Sequence, residues 1–250
     1  MFTVAAESYD RFMGKYSAPL APKLCDFAGI DSGRALDVGC GPGALTSELV
    51  RRLGAESVTA VDPSEPFVEA ARRRHPGVDV RLALAEFLPF ADGEFDAALA
   101  QLVVHFMADP VAGLRELARV TRAGGIVSAC VWDHAGGRGP LSPFWDAVRE
   151  LDPEVTDESR LAGARQGHLV ELFTQVGLAK VEETALEVSV AHATFDEWWE
   201  PFTLAVGPAG AYLARIDEAG RERVRERCRQ ALADAPVITA LAWATRGVPA

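Results

Sequence analysis

Cysteine is scarce in this chain of 250 residues. The four cysteines, Cys25, Cys40, Cys130 and Cys228, lie far apart, and none belongs to a C-x-x-C pair. That spacing argues against a zinc site or a disulfide framework and favours a reducing compartment. Positive charge is also short: 25 Lys and Arg stand against 36 Asp and Glu, a formal net charge of −11. Proteins that bind nucleic acids or anionic membranes usually carry a basic excess. No apolar run approaches the roughly 18 residues of a membrane span. The N-terminal stretch MFTVAAESYDRFMGKYS has early charges and no apolar core of signal-peptide length. The expectation is a soluble cytoplasmic protein with no nucleic-acid or membrane partner. Internal repeats, low-complexity tracts and metal-ligand clusters are missing as well.

What the chain does have is alternation. Apolar runs at 34–38, 57–62, 78–84, within 95–106 and at 126–132 are separated by amphipathic segments. Pro42 opens one helix, which Gly54 ends; Ser64 caps a second; Asp109-Pro110 starts a third, stopped at Gly124-Gly125. The strands are nearly continuous apolar runs, as in a parallel sheet covered on both faces. Beyond Trp132 the pattern loosens. Helices are expected through Phe144–Leu151 and 168–177, a sixth strand at 179–190, a helical, aromatic excursion at 195–233 and a last strand at 237–246. The fold class is α/β: a Rossmann-like, seven-stranded, mostly parallel sheet with helices on both faces, helical insertions and an antiparallel last strand. Three regions make one domain: an N-terminal helical segment (1–33), a cofactor-binding core (34–134), and the rest of the sheet with helical lid insertions (135–250).

The chemistry concentrates at 35–45, ALDVGCGPGAL. Gly39, Gly41 and Gly43 follow a strand directly. A glycine turn there fits the dinucleotide fingerprint loosely, with Asp62 placed for a ribose, so a nicotinamide-dependent oxidoreductase is one reading. Asp37 argues for another. Its carboxylate would repel a pyrophosphate but suit an ammonium group, and Asp62 can accept from both hydroxyls of a ribose. S-adenosylmethionine carries both features.

The D-x-G-x-G-x-G run, as Asp37, Gly39, Gly41 and Gly43, resembles the first motif of class I S-adenosylmethionine-dependent methyltransferases. AVDPSEPFVEAARRR, AEFLPFADGEFDAALA and the glycine pair before strand five extend the resemblance over 34–134. The opening YDRFMGKYSAPLA and the ending WWEPF…LAWATRG resemble a small-molecule subgroup of the ubiquinone and menaquinone type. The resemblance implies cofactor contacts from Asp37, Gly39, Gly41, Gly43, Asp62 and Pro63, and from Ala85 and Glu86 at the adenine edge. It adds Gln101 and Leu102 near the methionine end, with Met13 and Tyr16 from an N-terminal segment that folds over the cofactor. Relatives commonly hold the adenine amino group with an acid at the end of strand three, where this chain has Leu84.

Methyl transfer from an activated donor needs mainly alignment and exclusion of water, with a general base only for a poor nucleophile. His105 and His134 are the candidate bases; the alternative reading for each, and the readier one for His105, is a satisfied, partly buried histidine. Trp132, Trp198 and Trp199 are candidate walls for a small, partly apolar acceptor, or core residues. A homodimer is compatible with this reading, and so is a non-catalytic protein that binds S-adenosylmethionine.

Overall fold

The structure is a computed structural model, and it describes residues 6–250. The first five residues of the expected N-terminal segment lie outside the described residues. That segment starts with α1 (Ala6–Tyr9), continues through a π-helical turn (Asp10–Gly14) and enters α2 (Lys15–Ala28), which closes at Gly29. The alternating core follows: β1 (Ala35–Val38), α3 (Ala44–Leu53), β2 (Val58–Asp62), α4 (Glu65–Arg74), β3 (Asp79–Leu82), β4 (Phe95–Gln101), α5 (Pro110–Val120) and β5 (Thr121–Trp132). The remainder is α6 (Ser142–Leu151), a 3-10 turn (Glu158–Arg160), α7 (His168–Gln175), β6 (Ala179–Ala191), α8 (Phe195–Trp199), α9 (Gly207–Arg215), α10 (Glu218–Ala231) and β7 (Val237–Val248).

The seven strands form one sheet in the order β3-β2-β1-β4-β5-β7-β6. β1, β2, β3, β4 and β5 pair in parallel, and β7 runs antiparallel between β5 and β6. β1 and β2 are buried along their whole length, because helices cover both faces. One core packs α2 and α3 and the aromatic lid on one face; the other packs α5 and α7 on the opposite face.

Two local expectations need correcting. α5 ends at Val120, and Gly124-Gly125 lie inside β5. Gly124 has a φ of 73°, and a Cβ on Gly125 would come within 2.5 Å of the Asp96 carbonyl oxygen. The pair therefore makes an irregularity in the sheet where β4 shifts register between Phe95 and Ala97. β3 is also shorter than its apolar run and ends at Leu82. The next residues turn away as a loop, anchored by the Ala83 N–H on the Asp62 carbonyl at 3.1 Å.

The charged run RERVRERCR forms most of α10, with Val224 and Cys228 buried. Arg225 and Arg229 both reach Asp196 and lie over the Phe195 ring. The charges thus tie α10 to α8 through tertiary pairs.

Candidate active site

The site lies along the carboxyl ends of β1, β2, β4 and β5, where open α/β sheets place their ligands. At its centre is the loop after β1. Gly39 has a φ of 72°, and a Cβ there would lie 2.5 Å from the Val103 side chain, so only glycine fits. Gly41 has a φ of 53° with open space over it, so a ligand can come close to its Cα. The Gly39 and Cys40 N–H groups donate to the Val61 carbonyl at 2.8 and 2.9 Å, tying the loop to β2.

Asp62 ends β2 and organises this turn. One carboxylate oxygen accepts from the Gly41 N–H at 2.8 Å, the other from the Ser64 N–H at 2.8 Å. Asp37 is buried on β1 and accepts from the Thr46 hydroxyl at 2.6 Å. Neither carboxylate has an ion-pair partner among the described residues. Burial pushes the Asp37 carboxyl up to about 7 and the Asp62 carboxyl up to about 6. The sequence reading did not find His75, whose Nε2 lies 3.2 Å from the Ser47 hydroxyl beside Gly43.

A cleft of about 470 Å³ opens from the loop, lined by Gly39, Pro63, Leu84, Ala85 and Glu86, with Met107 opposite. Leu84 is 49% exposed and Phe87 76%, so the rim is apolar. Glu86 uses one oxygen to accept from the Ala108 N–H at 2.8 Å, which fixes the far wall. Gln101 is buried at the end of β4. Its Nε2 donates to the Ser17 carbonyl at 3.0 Å, and its Oε1 has no partner among the described residues. Leu102 follows with a φ of 62°, a left-handed conformation uncommon for leucine.

A second cavity, about 30 Å³, lies beyond Leu102. It brings together Met13, Leu102, His105, Trp132 and His134, all singled out from sequence, and adds Glu158. The His105 and His134 rings are 5.8 Å apart. His105 Nδ1, His134 Nε2 and Trp132 Nε1 are buried without a hydrogen-bond partner among the described residues. Burial holds His105 well below the usual imidazole range, and His134 falls to about 4. Both rings are therefore neutral near pH 7, with a lone pair to offer. Glu158 is 4% exposed and accepts from the Trp145 indole at 2.9 Å. It sits in the polar segment DESR, which carries no local sign of burial.

Three other residues from the sequence reading lie elsewhere. The Tyr16 hydroxyl is 3.0 Å from His192 Nε2, with its ring edge toward Trp132. Trp198 and Trp199 are not brought to the cavity. They pack with Phe195 and Phe202 as the buried centre of the lid.

Residues 36–129 match the family model described as a methyltransferase domain. The chain is 30% identical over 235 residues to an uncharacterized protein of Mycobacterium bovis, covering 87% of this chain and 82% of that one. It is 36% identical over 149 residues to the malonyl-[acyl-carrier protein] O-methyltransferase of Pseudescherichia vulneris, covering 59% of this chain and 57% of that enzyme. Among solved structures, it superposes with a TM-score of 0.61 and 15% identity on Haemonchus contortus phosphoethanolamine N-methyltransferase 2, seen with S-adenosylhomocysteine; the match covers 98% of this chain and 57% of that one. The glycines alone left a dinucleotide and S-adenosylmethionine as rival ligands. Two unpaired buried acids beside the loop and the methyltransferase match decide between them: the chain belongs to the class I S-adenosylmethionine-dependent methyltransferases.

Proposed function

We propose that this chain moves the methyl group of S-adenosylmethionine to a small-molecule acceptor seated in the cavity beyond Leu102. The observation that carries the proposal is the pair of buried, unpaired carboxylates, Asp37 and Asp62, at adjacent strand ends. A buried charge without a partner is costly. A ligand with an ammonium group and a ribose diol supplies what both lack.

Asp37 and the Gly39 backbone hold the amino-acid end, while Gly41 and Gly43 let the chain pass close to the ligand. Asp62 takes the ribose hydroxyls, and Pro63, Ala85 and Glu86 border the base. With Leu84 in place of an acid, the base is held by backbone and apolar surface. Gln101, Leu102, Met13 and Tyr16 close the end nearest the acceptor. When bound, the cofactor supplies an electrophilic methyl on a cationic sulfur.

The chain's part is alignment, exclusion of water and movement of a proton. His105 and His134, neutral and unpartnered, accept the proton that the acceptor sheds. Trp132 forms an apolar wall, and Trp198 and Trp199 stiffen the lid that shuts the cavity from solvent. The four cysteines are buried and unbridged, which supports a reducing, cytoplasmic setting.

A thermal-shift comparison tests the reading. S-adenosylhomocysteine at 100 times its dissociation constant should add roughly 2.7 kcal/mol of stability, and NAD or NADP should add none. Stabilisation by a nicotinamide cofactor alone would overturn it.

A further inference from the structure

Five carboxylates are buried among the described residues: Asp37, Glu48, Asp62, Asp133 and Glu158. Two have arginine counter-ions. Glu48 is held by Arg51 and Arg52, and Asp133 by Arg138. The other three have no basic partner among the described residues. Asp37 and Asp62 lie beside the glycine loop, where the proposed cofactor brings the missing charge and hydroxyls. Glu158 faces the acceptor cavity, and nothing so far accounts for it.

Its surroundings are specific. The Trp145 indole fixes one carboxylate oxygen. The nearby Arg149 is already shared between Asp146 and Asp157. Among the described residues no Lys or Arg lines the cavity, and its remaining wall is apolar, with aromatic rings from Tyr9, Phe12, Phe106 and Trp132. Aromatic faces attract cations, the more so when water is excluded. An anionic acceptor would meet Glu158 with no positive group to offset it.

We propose that Glu158 is an acceptor-binding residue and that the acceptor is a small amine, which enters as its ammonium ion and pairs with this carboxylate. This rests on the methyltransferase reading above. Burial and Asp157 push the Glu158 carboxyl up to about 7, and an ammonium beside it restores the ionised form. The step balances without a further reactant. One N–H proton passes to a neutral imidazole, His105 or His134. The nitrogen lone pair forms the N–CH₃ bond as the S–CH₃ bond breaks, with both electrons left on sulfur. The methylated ammonium product still pairs with Glu158.

The test uses three small probes of similar shape, matched to a cavity of about 30 Å³: ethylamine, ethanol and acetate. Each is titrated by calorimetry into the full chain saturated with S-adenosylhomocysteine. The amine should bind at least about tenfold more tightly than the other two, roughly 1.4 kcal/mol. Glu158→Gln keeps an acceptor for the Trp145 indole but removes the charge. It should abolish the preference, while alcohol binding stays within about threefold. Glu158→Asp should keep the preference with weaker affinity, which separates charge from misfolding. Equal or tighter binding of the alcohol or the acid, an unchanged preference in Glu158→Gln, or no binding of any probe would each overturn the amine assignment. The saturation step separates the two readings. If S-adenosylhomocysteine does not bind, the methyltransferase reading fails; if it binds and the amine preference is missing, only the role of Glu158 fails.

Discussion

The cofactor cleft and the acceptor cavity share one sheet edge but are assembled in different ways. The cleft is built from a short span of chain, Gly39 to Ala112, and most of the polar groups around it are backbone N–H or carboxylates that organise backbone. Asp62 grips Gly41 and Ser64, and Glu86 grips Ala108. The cavity gathers residues from Tyr9 to Pro208, and its polar atoms are side-chain nitrogens and one carboxyl with few partners. One region is completed by a ligand whose shape is fixed in advance. The other holds buried polar atoms unsatisfied, among them His105 Nδ1, His134 Nε2 and Trp132 Nε1. Unpaired buried groups cost stability, so both regions give up stability where a ligand is to complete them.

Four experiments would break or sharpen that contrast. The largest effect is expected from the lid. Trp198→Ala empties the centre of an aromatic cluster and should cost about 3–5 kcal/mol in denaturant unfolding. Cofactor affinity in the folded protein should stay within about threefold, and a larger loss would mean that the two regions are not separable. Next, His105→Ala should lower turnover by about a hundredfold or more, the scale of general acid–base catalysis, with S-adenosylhomocysteine affinity unchanged. Full turnover in this variant would leave His105 a packing residue.

Asp62→Ala should act in the opposite sense and weaken cofactor binding by roughly 1.5–3 kcal/mol. It should also loosen the loop at Gly41 and Ser64, visible as faster amide exchange at both. Unchanged affinity would remove Asp62 from the site. The most gradual effect is in pH, about tenfold in cofactor affinity per unit. Asp37 carries a proton up to about pH 7 in the free protein. Its raised value makes its contribution to folding most favourable below the unfolded carboxyl range, and that contribution shrinks as pH rises toward 7. Cofactor binding has the opposite sign, because the ionised carboxylate pairs with the ligand's ammonium. Affinity should fall by about tenfold per unit below the Asp37 value. Asp37→Asn should bind weakly with a flatter profile, and a wild-type profile already flat from pH 5 to 8 would refute the assignment.

The same contrast explains what the sequence made legible. The cleft follows from a strand, three glycines and two acids within one βαβ unit, so local spacing carries it. The mostly parallel sheet was also within reach, because apolar runs and helical segments alternate regularly; the strand order was not. Glu158 was not, since its DESR context resembles a solvated turn and only the packing of Trp145 against it shows its burial. Leu102 gives no sign in its neighbours of a left-handed backbone. Trp198 and Trp199 were ambiguous for a physical reason: an aromatic pair satisfies a lid core and a ligand wall equally well, and only tertiary packing chooses. The glycine pair at 124–125 read as a helix stop because glycine ends helices and breaks strands alike.

The position of β7 bears on how the molecule is made. This strand lies between β5 and β6, with Trp132 opposite Ala242 and Leu186 opposite the same residue on the other side. During synthesis β6 leaves the ribosome with no neighbour to pair with until Val237–Val248 follows. The five strands from β1 to β5 can already assemble around the glycine loop by then, since domains form as the chain emerges. β6 and the lid helices α8, α9 and α10 wait as an unpaired edge and exposed aromatic surface. A nascent chain halted near residue 230 should therefore be recognised by chaperones and cut by protease within 179–230, and release of the last strand should close both vulnerabilities in a single step.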